Sequence, residues 1–164
     1  MNVVVVGGGK VGQLLTQLLV EEDHNVIVID NRESVLEDLQ EAFDVAIVHG
    51  NGATVDIQRE AKVQECDLLI AATSSDEVNL LCCVVGNMLG AKHTVARVRN
   101  PEYDGQIEFL GKKLGLDMAL NPEKETAREI FRILQFPNFT KRDTFASDRV
   151  ELVEFKLTKE NPLV

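Results

Sequence analysis

Short apolar runs alternate along the first 120 residues with segments whose apolar positions recur at helical spacing. Val3 to Val6 is four consecutive β-branched residues, the pattern of a strand buried on both faces, and it stops at Gly7-Gly8-Gly9. Leu14, Leu15, Leu18 and Leu19 then line one side of a helix from near Lys10 to Glu22, which breaks at Asp23-His24-Asn25. Val26 to Asp30 is a second strand. Asn31 is placed to cap a short helix whose apolar stripe is Val35, Leu36, Leu39 and Phe43. Val45 to Val48 is a third strand, followed by the turn cluster His49-Gly50-Asn51-Gly52 and a short helix over about 54–61. Leu68 to Ala72 is the fourth, and Ser74 with Glu77 matches the S-x-x-E box that opens a helix ending at Gly90. His93 to Val98 and Met118 to Leu120 are the last two strands. Asn100-Pro101-Glu102 and Asn121-Pro122-Glu123 each read as a helix start with proline in the first turn, the second helix running to about Leu134.

Six strands alternating with helices predict an α/β, doubly wound Rossmann fold: a six-stranded parallel sheet in the order 3-2-1-4-5-6, covered on both faces. The nucleotide-binding domain is read as residues 1–138. Beyond it the rhythm changes: Thr140 to Ser147 is polar, and residues 149–157 alternate through Val150, Leu152, Val153, Phe155 and Leu157. This is one strand with no partner left in the sequence. Either it pairs with a second chain, or the chain stops inside a second domain begun at 139–164.

Length and composition sharpen this picture by exclusion. The chain has 164 residues, enough for one proper core, and no apolar stretch approaches the ~20 residues of a membrane span. Met1-Asn2-Val3 enters a strand directly, without the basic segment of a signal peptide, so a cytoplasmic location is expected. A net charge of −10 argues against general nucleic-acid binding. Any polyphosphate must therefore be held by local donors. Cys66, Cys82 and Cys83 lack C-x-x-C spacing and read as buried reduced thiols. His24, His49 and His93 are scattered, so no metal site is expected.

The candidate chemistry lies where strands end. Gly7, Gly9 and Gly12 stand in G-x-G-x-x-G spacing between a strand and a helix, and Asp30 closes the next strand. The first glycine makes the tight turn, the second lets a pyrophosphate approach the backbone, and the third lets the helix pack on the strand. Asp30 is placed to accept ribose hydroxyls and to repel a 2′-phosphate, an effect that Arg32 tempers. Its alternative role is a turn or cap acid. Lys10 faces either a distal phosphate or solvent. Thr73 and Ser74 meet the ligand or cap the helix. Gly50, Asn51 and Ala53 edge an adenine pocket or form a plain turn. The loop is not G-x-x-x-x-G-K-[ST], so ATP hydrolysis has no support.

These residues resemble the TrkA-like regulatory subunits of Trk/Ktr-type potassium transporters, whose nucleotide-binding domain is called KTN or the RCK N-terminal domain. The resemblance is carried by Gly7-Gly8-Gly9-Lys10-Val11-Gly12, Asp30, Gly50-Asn51-Gly52, Thr73 to Asn79 and Ala96 to Tyr103, and it covers essentially the whole chain. It implies that residues 149–157 and Asn161-Pro162-Leu163-Val164 belong to the truncated start of a C-terminal RCK domain. It also implies a non-catalytic sensor that binds NAD(H) or the adenine nucleotides ATP and ADP. Such a sensor sits at the inner face of the membrane, as a homodimer or higher ring, and gates a potassium transporter (TrkH/KtrB-like) or channel. By the same resemblance Arg97 contacts a phosphate, with Arg99 as its second or a surface residue, and the binding set takes in Val11, Asn31 and Arg32. The rival function is an NAD-dependent oxidoreductase domain lacking its substrate domain, but no acid/base follows the sheet where a nicotinamide would need one. The apolar positions of the last helix (Ile130, Phe131, Ile133, Leu134, Phe136) are where chains are expected to meet.

Overall fold

The computed structural model describes residues 1–103, 105–107, 109, 111, 115–135, 139–145 and 150–155. Its sheet runs β3 (Ala46–His49), β2 (Asn25–Asp30), β1 (Asn2–Val6), β4 (Leu68–Ala71), β5 (Thr94–Arg97), β6 (Met118–Leu120), with every pair parallel. That is the doubly wound order expected. The consecutive valines of β1 are explained by its central position. Val3 and Val5 point into one apolar cluster with Val26, Val28, Leu36 and Leu39. Val4 and Val6 point into the other with Ile29, Leu69, Ala71 and Leu80. A strand alternates faces at every residue, so one covered on both sides has no solvent position to make polar.

Helix α1 (Lys10–Glu21) follows β1, and α2 (Glu33–Ala42) puts Leu36 and Leu39 into the first cluster. Helices α3 (Val55–Glu60) and α4 (Asp76–Leu89) serve the second, where Cys66, Cys82 and Cys83 are buried and free of disulfides. Burial in apolar surroundings raises all three thiols, Cys66 to about 11 and Cys82 to about 12. They are packing residues.

Two cap assignments need correction. The residue before α2 is Arg32, not Asn31, and it makes no side-chain cap. Asp30 shapes the entry to the helix, accepting from the Arg32 N–H at 2.9 Å in an Asx turn. Helix α4 is capped by Ser75, not Ser74: the Ser75 hydroxyl accepts from the Val78 N–H at 3.3 Å and donates to Glu77 at 2.7 Å. The start shifts by one residue because Ser75 itself keeps an extended backbone and the helix begins at Asp76. After β5, the Asn100-Pro101-Glu102 signal yields a 3-10 turn over Pro101–Tyr103, with the Asn100 side chain accepting from the Glu102 N–H at 3.0 Å.

By internal packing the chain divides into Met1–Pro122 and Glu123–Val164, and the boundary read at 138/139 falls inside the second unit. Helix α5 (Pro122–Gln135) leads into β7 (Phe139–Phe145), which pairs antiparallel with β8 (Val150–Phe155). The expectation of one unpartnered strand is therefore wrong. The partner was hidden because Lys141-Arg142-Asp143 interrupts any apolar alternation. Phe136 and residues 161–164 lie outside the described residues. Among the described residues no helix is long and apolar enough to cross a membrane.

Candidate functional site

A cavity of about 670 Å³ opens over the carboxyl ends of β1 to β4, where an open α/β sheet binds ligands and within the size range of small-molecule sites. Of the residues selected from sequence, Gly7, Gly9, Asp30, Asn31, Arg32, Gly50, Asn51, Thr73 and Ser74 come together on its wall. Gly8, Lys10, Val11, Gly12, Ala53 and Arg97 do not line it. Val6, Ile29, Ala72 and Val78 supply an apolar floor that the sequence reading missed, with Gly52 and Ser75 at the rim.

The glycine turn is built as its spacing suggests. Gly7 has φ +103°, and a Cβ there would lie 2.9 Å from the Thr73 nitrogen. A Cβ at Gly12 would fall 1.8 Å from the Gly7 carbonyl oxygen, so α1 can pack against the turn only without one. Gly9 is different: nothing lies within 4 Å of a Cβ built on it. It is the N-cap of α1 and makes no side-chain cap, and no acid stands in the first turn. The first N–H groups of a helix have no intrahelical acceptor, and its dipole favours an anion there. An open, uncapped helix start beside a cavity is an anion seat. Gly8 faces inward instead, where a Cβ would meet Val35 at 2.7 Å. Lys10 and Val11 are the first residues of the helix body, and Lys10 is exposed.

Asp30 is buried on the wall of the same cavity, beside the glycine turn. Its carboxylate accepts from the Gly8 N–H at 2.7 Å and from the Arg32 N–H, and it pairs with the Arg32 guanidinium at 3.1 Å. Burial pushes this carboxyl upward. The bonds from the Arg32 side chain, Gly8 and the Arg32 backbone outweigh burial and hold it below the usual carboxylate range. Both readings of Asp30 therefore coexist in geometry: it is a turn acid, and it faces the crevice.

The β4 side is organised otherwise. Asn79, fully buried in α4, accepts at Oδ1 from the Thr73 N–H (2.8 Å) and hydroxyl (2.7 Å), and donates from Nδ2 to the Arg97 carbonyl (2.8 Å). The Thr73 hydroxyl is thus turned into the loop. Asp76 accepts from the Arg99 and Asn100 N–H groups at 2.9 and 2.8 Å and pairs with the Arg99 guanidinium, which also donates to the Ser74 carbonyl. Burial raises the Asp76 carboxyl, and these backbone and side-chain bonds lower it by more. Glu77 accepts from Ser75 and from the Tyr103 hydroxyl (2.6 Å), which bring its carboxyl down to about 2. Arg99 is therefore a brace for the loop. Among the described residues, no cluster of His, Cys, Asp and Glu is placed to hold a metal ion.

Residues 3–122 match the family model of the TrkA-N domain, most of the first compact unit and of the chain. The chain belongs to this family. The Trk system potassium uptake protein TrkA of Vibrio alginolyticus is 34% identical over 167 residues, covering 100% of this chain and 36% of that protein. Its namesake in Haemophilus influenzae is 33% identical over 159 residues, covering 95% and 35%. The chain thus spans about a third of the length of these relatives. Among solved structures, the TrkA-N domain of the inner membrane protein ybaL from Escherichia coli superposes with a TM-score of 0.71 at 24% identity, covering 81% of this chain and 96% of that one. The GsuK channel bound to NAD gives 0.67 at 17% identity, covering 89% and 25%. The Kef C-terminal domain of Shewanella denitrificans in its AMP-bound form gives 0.67 at 18%, covering 85% and 84%. These neighbours share the fold.

Within the TrkA-N domain, sequence reasoning also missed the bracing role of Asn79. Its signal was available: a single carboxamide inside the apolar run Val78-Asn79-Leu80-Leu81-Cys82 must find partners when the helix face is buried. Arg97, at the end of β5, contributes its carbonyl to that bond and stands half-buried off the cavity wall.

Proposed function

We propose that this TrkA-N domain is the nucleotide-sensing part of a non-catalytic, cytoplasmic regulatory subunit of a potassium uptake system. It takes NAD(H) or an adenine nucleotide, ATP or ADP, into the crevice. The observation that carries the reading is that an uncapped helix start at Gly9 and the buried Asp30 carboxylate line one cavity. Phosphates lie over the first turn of α1, where N–H groups point at them. The ribose lies toward Asp30, and the adenine lies toward Gly50 and Asn51 over the apolar floor. The name of the relatives, potassium uptake protein TrkA, and the NAD and AMP bound to two structural neighbours support the ligand class and the partner class.

Regulation follows by linkage. A nucleotide biases an integral-membrane potassium transporter or channel only by binding two assembly states with different affinity, a coupling of roughly 1–3 kcal/mol. The assembly is a homodimer or ring joined through α5, which exposes Ile130, Phe131, Ile133 and Leu134. Sedimentation of the Ile130→Asp, Leu134→Asp double variant tests this, with monomer expected and an unchanged dimer contradicting it.

Calorimetric titration with NAD, NADH, ATP and ADP tests the binding reading. At least one binds the wild type, and Asp30→Ala weakens it about tenfold, the loss of a charge-assisted hydrogen bond. Absence of binding by all four overturns it.

A further inference from the structure

The turn after β3 is tied down by a side chain that lines no part of the crevice. Gln58 of α3 is fully buried. Its Nε2 donates to the Gly52 carbonyl at 2.7 Å and to the Cys82 carbonyl of α4 at 2.9 Å. Two carbonyl acceptors fix which way the amide faces, because the reverse would set oxygen against oxygen. Its Oε1 is left without a hydrogen-bond partner among the described residues. A buried acceptor in that state is unfavourable, and an apolar side chain of similar length would avoid it. The packing of α3 on α4 therefore does not explain why a glutamine stands here. What the glutamine supplies is a donor to Gly52, and Gly52 is on the crevice wall. That glycine lies close over Val6 of the crevice floor, where a Cβ built on it would overlap the valine side chain.

We propose that Gln58 is a positioning residue that holds the crevice wall at its β3 end, and through that wall sets the preference for a purine base. The amide keeps the Gly52 carbonyl turned inward, so the turn over residues 50–52 stays against Val6. Without the amide that carbonyl loses its donor and turns outward to water, drawing Gly50 and Asn51 away from the crevice. The proposal rests on the nucleotide reading above, in which the base lies at this end. The phosphates over α1 and the ribose at Asp30 are held by other elements. A purine presents more flat surface to the wall than a pyrimidine, so it loses more when the wall withdraws. The effect of Gln58 must therefore show in discrimination between bases, which a purely structural role would not move.

The test is calorimetric titration of the whole chain with ADP and UDP, which share the diphosphate and ribose and differ only in the base. The wild type binds ADP more tightly than UDP. In Gln58→Leu and Gln58→Met the ADP affinity falls about three- to tenfold while that for UDP changes less than about twofold, so the preference narrows. Melting temperatures stay near that of the wild type, since each variant also removes the orphaned Oε1. Methionine keeps the length of the side chain and guards against a packing defect in the leucine variant. ADP affinity unchanged in both variants, or ADP and UDP weakened by the same factor, overturns the proposal and leaves the nucleotide reading standing. So does a wild type that binds ADP and UDP alike. Variants that melt low yet keep the wild-type preference show a packing role only and overturn it as well. If the wild type binds no nucleotide, the nucleotide reading fails and this proposal with it.

Discussion

The two strand-to-helix turns that lie side by side on the wall of the crevice, after β1 and after β4, begin from the same topology and end in opposite states. The turn after β1 is nearly bare: Gly7 bends it, Gly12 lets α1 close against it, and above Gly9 there is open space. Its helix start is left uncapped. The turn after β4 is rich in hydroxyls and acids, and those polar groups find partners within the protein: Thr73 with Asn79, Asp76 with Arg99 and Asn100, Glu77 with Ser75 and Tyr103. Polar residues at a strand end are thus weak pointers to a ligand. Unoccupied donors are better ones, and here glycines provide them. One turn receives and the other braces.

That contrast can be broken at several points. Gly12→Ala is expected to have the largest effect, about 2–3 kcal/mol of lost stability, because its Cβ would overlap the Gly7 carbonyl oxygen and force α1 off the turn. A urea midpoint close to wild type would show that the close approach is not required. Asn79→Ala comes next, at about 2 kcal/mol, since it leaves the Thr73 N–H and the Arg97 carbonyl without their partner. If the β4 side only braces, nucleotide affinity in this variant falls less than stability does. An affinity loss exceeding the stability loss would make Thr73 a ligand contact after all.

The acid limb of the stability curve reports both sides. Asp30, Asp76 and Glu77 are all held below their ordinary values in the folded chain. Carboxyls of this kind contribute stability that is fully present above about pH 4, where the unfolded groups are ionised, and that is lost as pH falls through the lower folded values. Urea midpoints should therefore drop between about pH 4 and pH 2, and Asp76→Asn should flatten part of that fall. A midpoint that rises on acidification would contradict these assignments. The smallest effect on stability belongs to Gly9→Ala, within about 0.5 kcal/mol, because the backbone there suits any residue and the new methyl meets open space. The same methyl intrudes where a pyrophosphate would lie, so binding should weaken while the melt stays put.

Much of this was legible beforehand, for reasons that differ by region. The sheet order followed from six apolar runs and the handedness of crossovers, and β1 announced its burial through unbroken valines. The roles of Gly7 and Gly12 followed from spacing because steric demand at a tight turn is local. What escaped was decided by partners distant in sequence. Ser74 looked like the cap, but Asn79 and Arg99 hold the preceding loop so that the helix begins at Asp76 and Ser75 caps it. Arg99 was read as a second to Arg97 or a surface residue; it is paired with Asp76, 23 residues away in the chain. Strand β7 was invisible because its charged centre carries no period-two signal.

The most direct test of the central claim is a crystal structure of the chain with ADP. The diphosphate should lie over Gly9 and the first turn of α1, with the ribose at Asp30. Nucleotide bound only against the Thr73 to Ser75 loop, or a crevice left empty at saturating ADP, would contradict it.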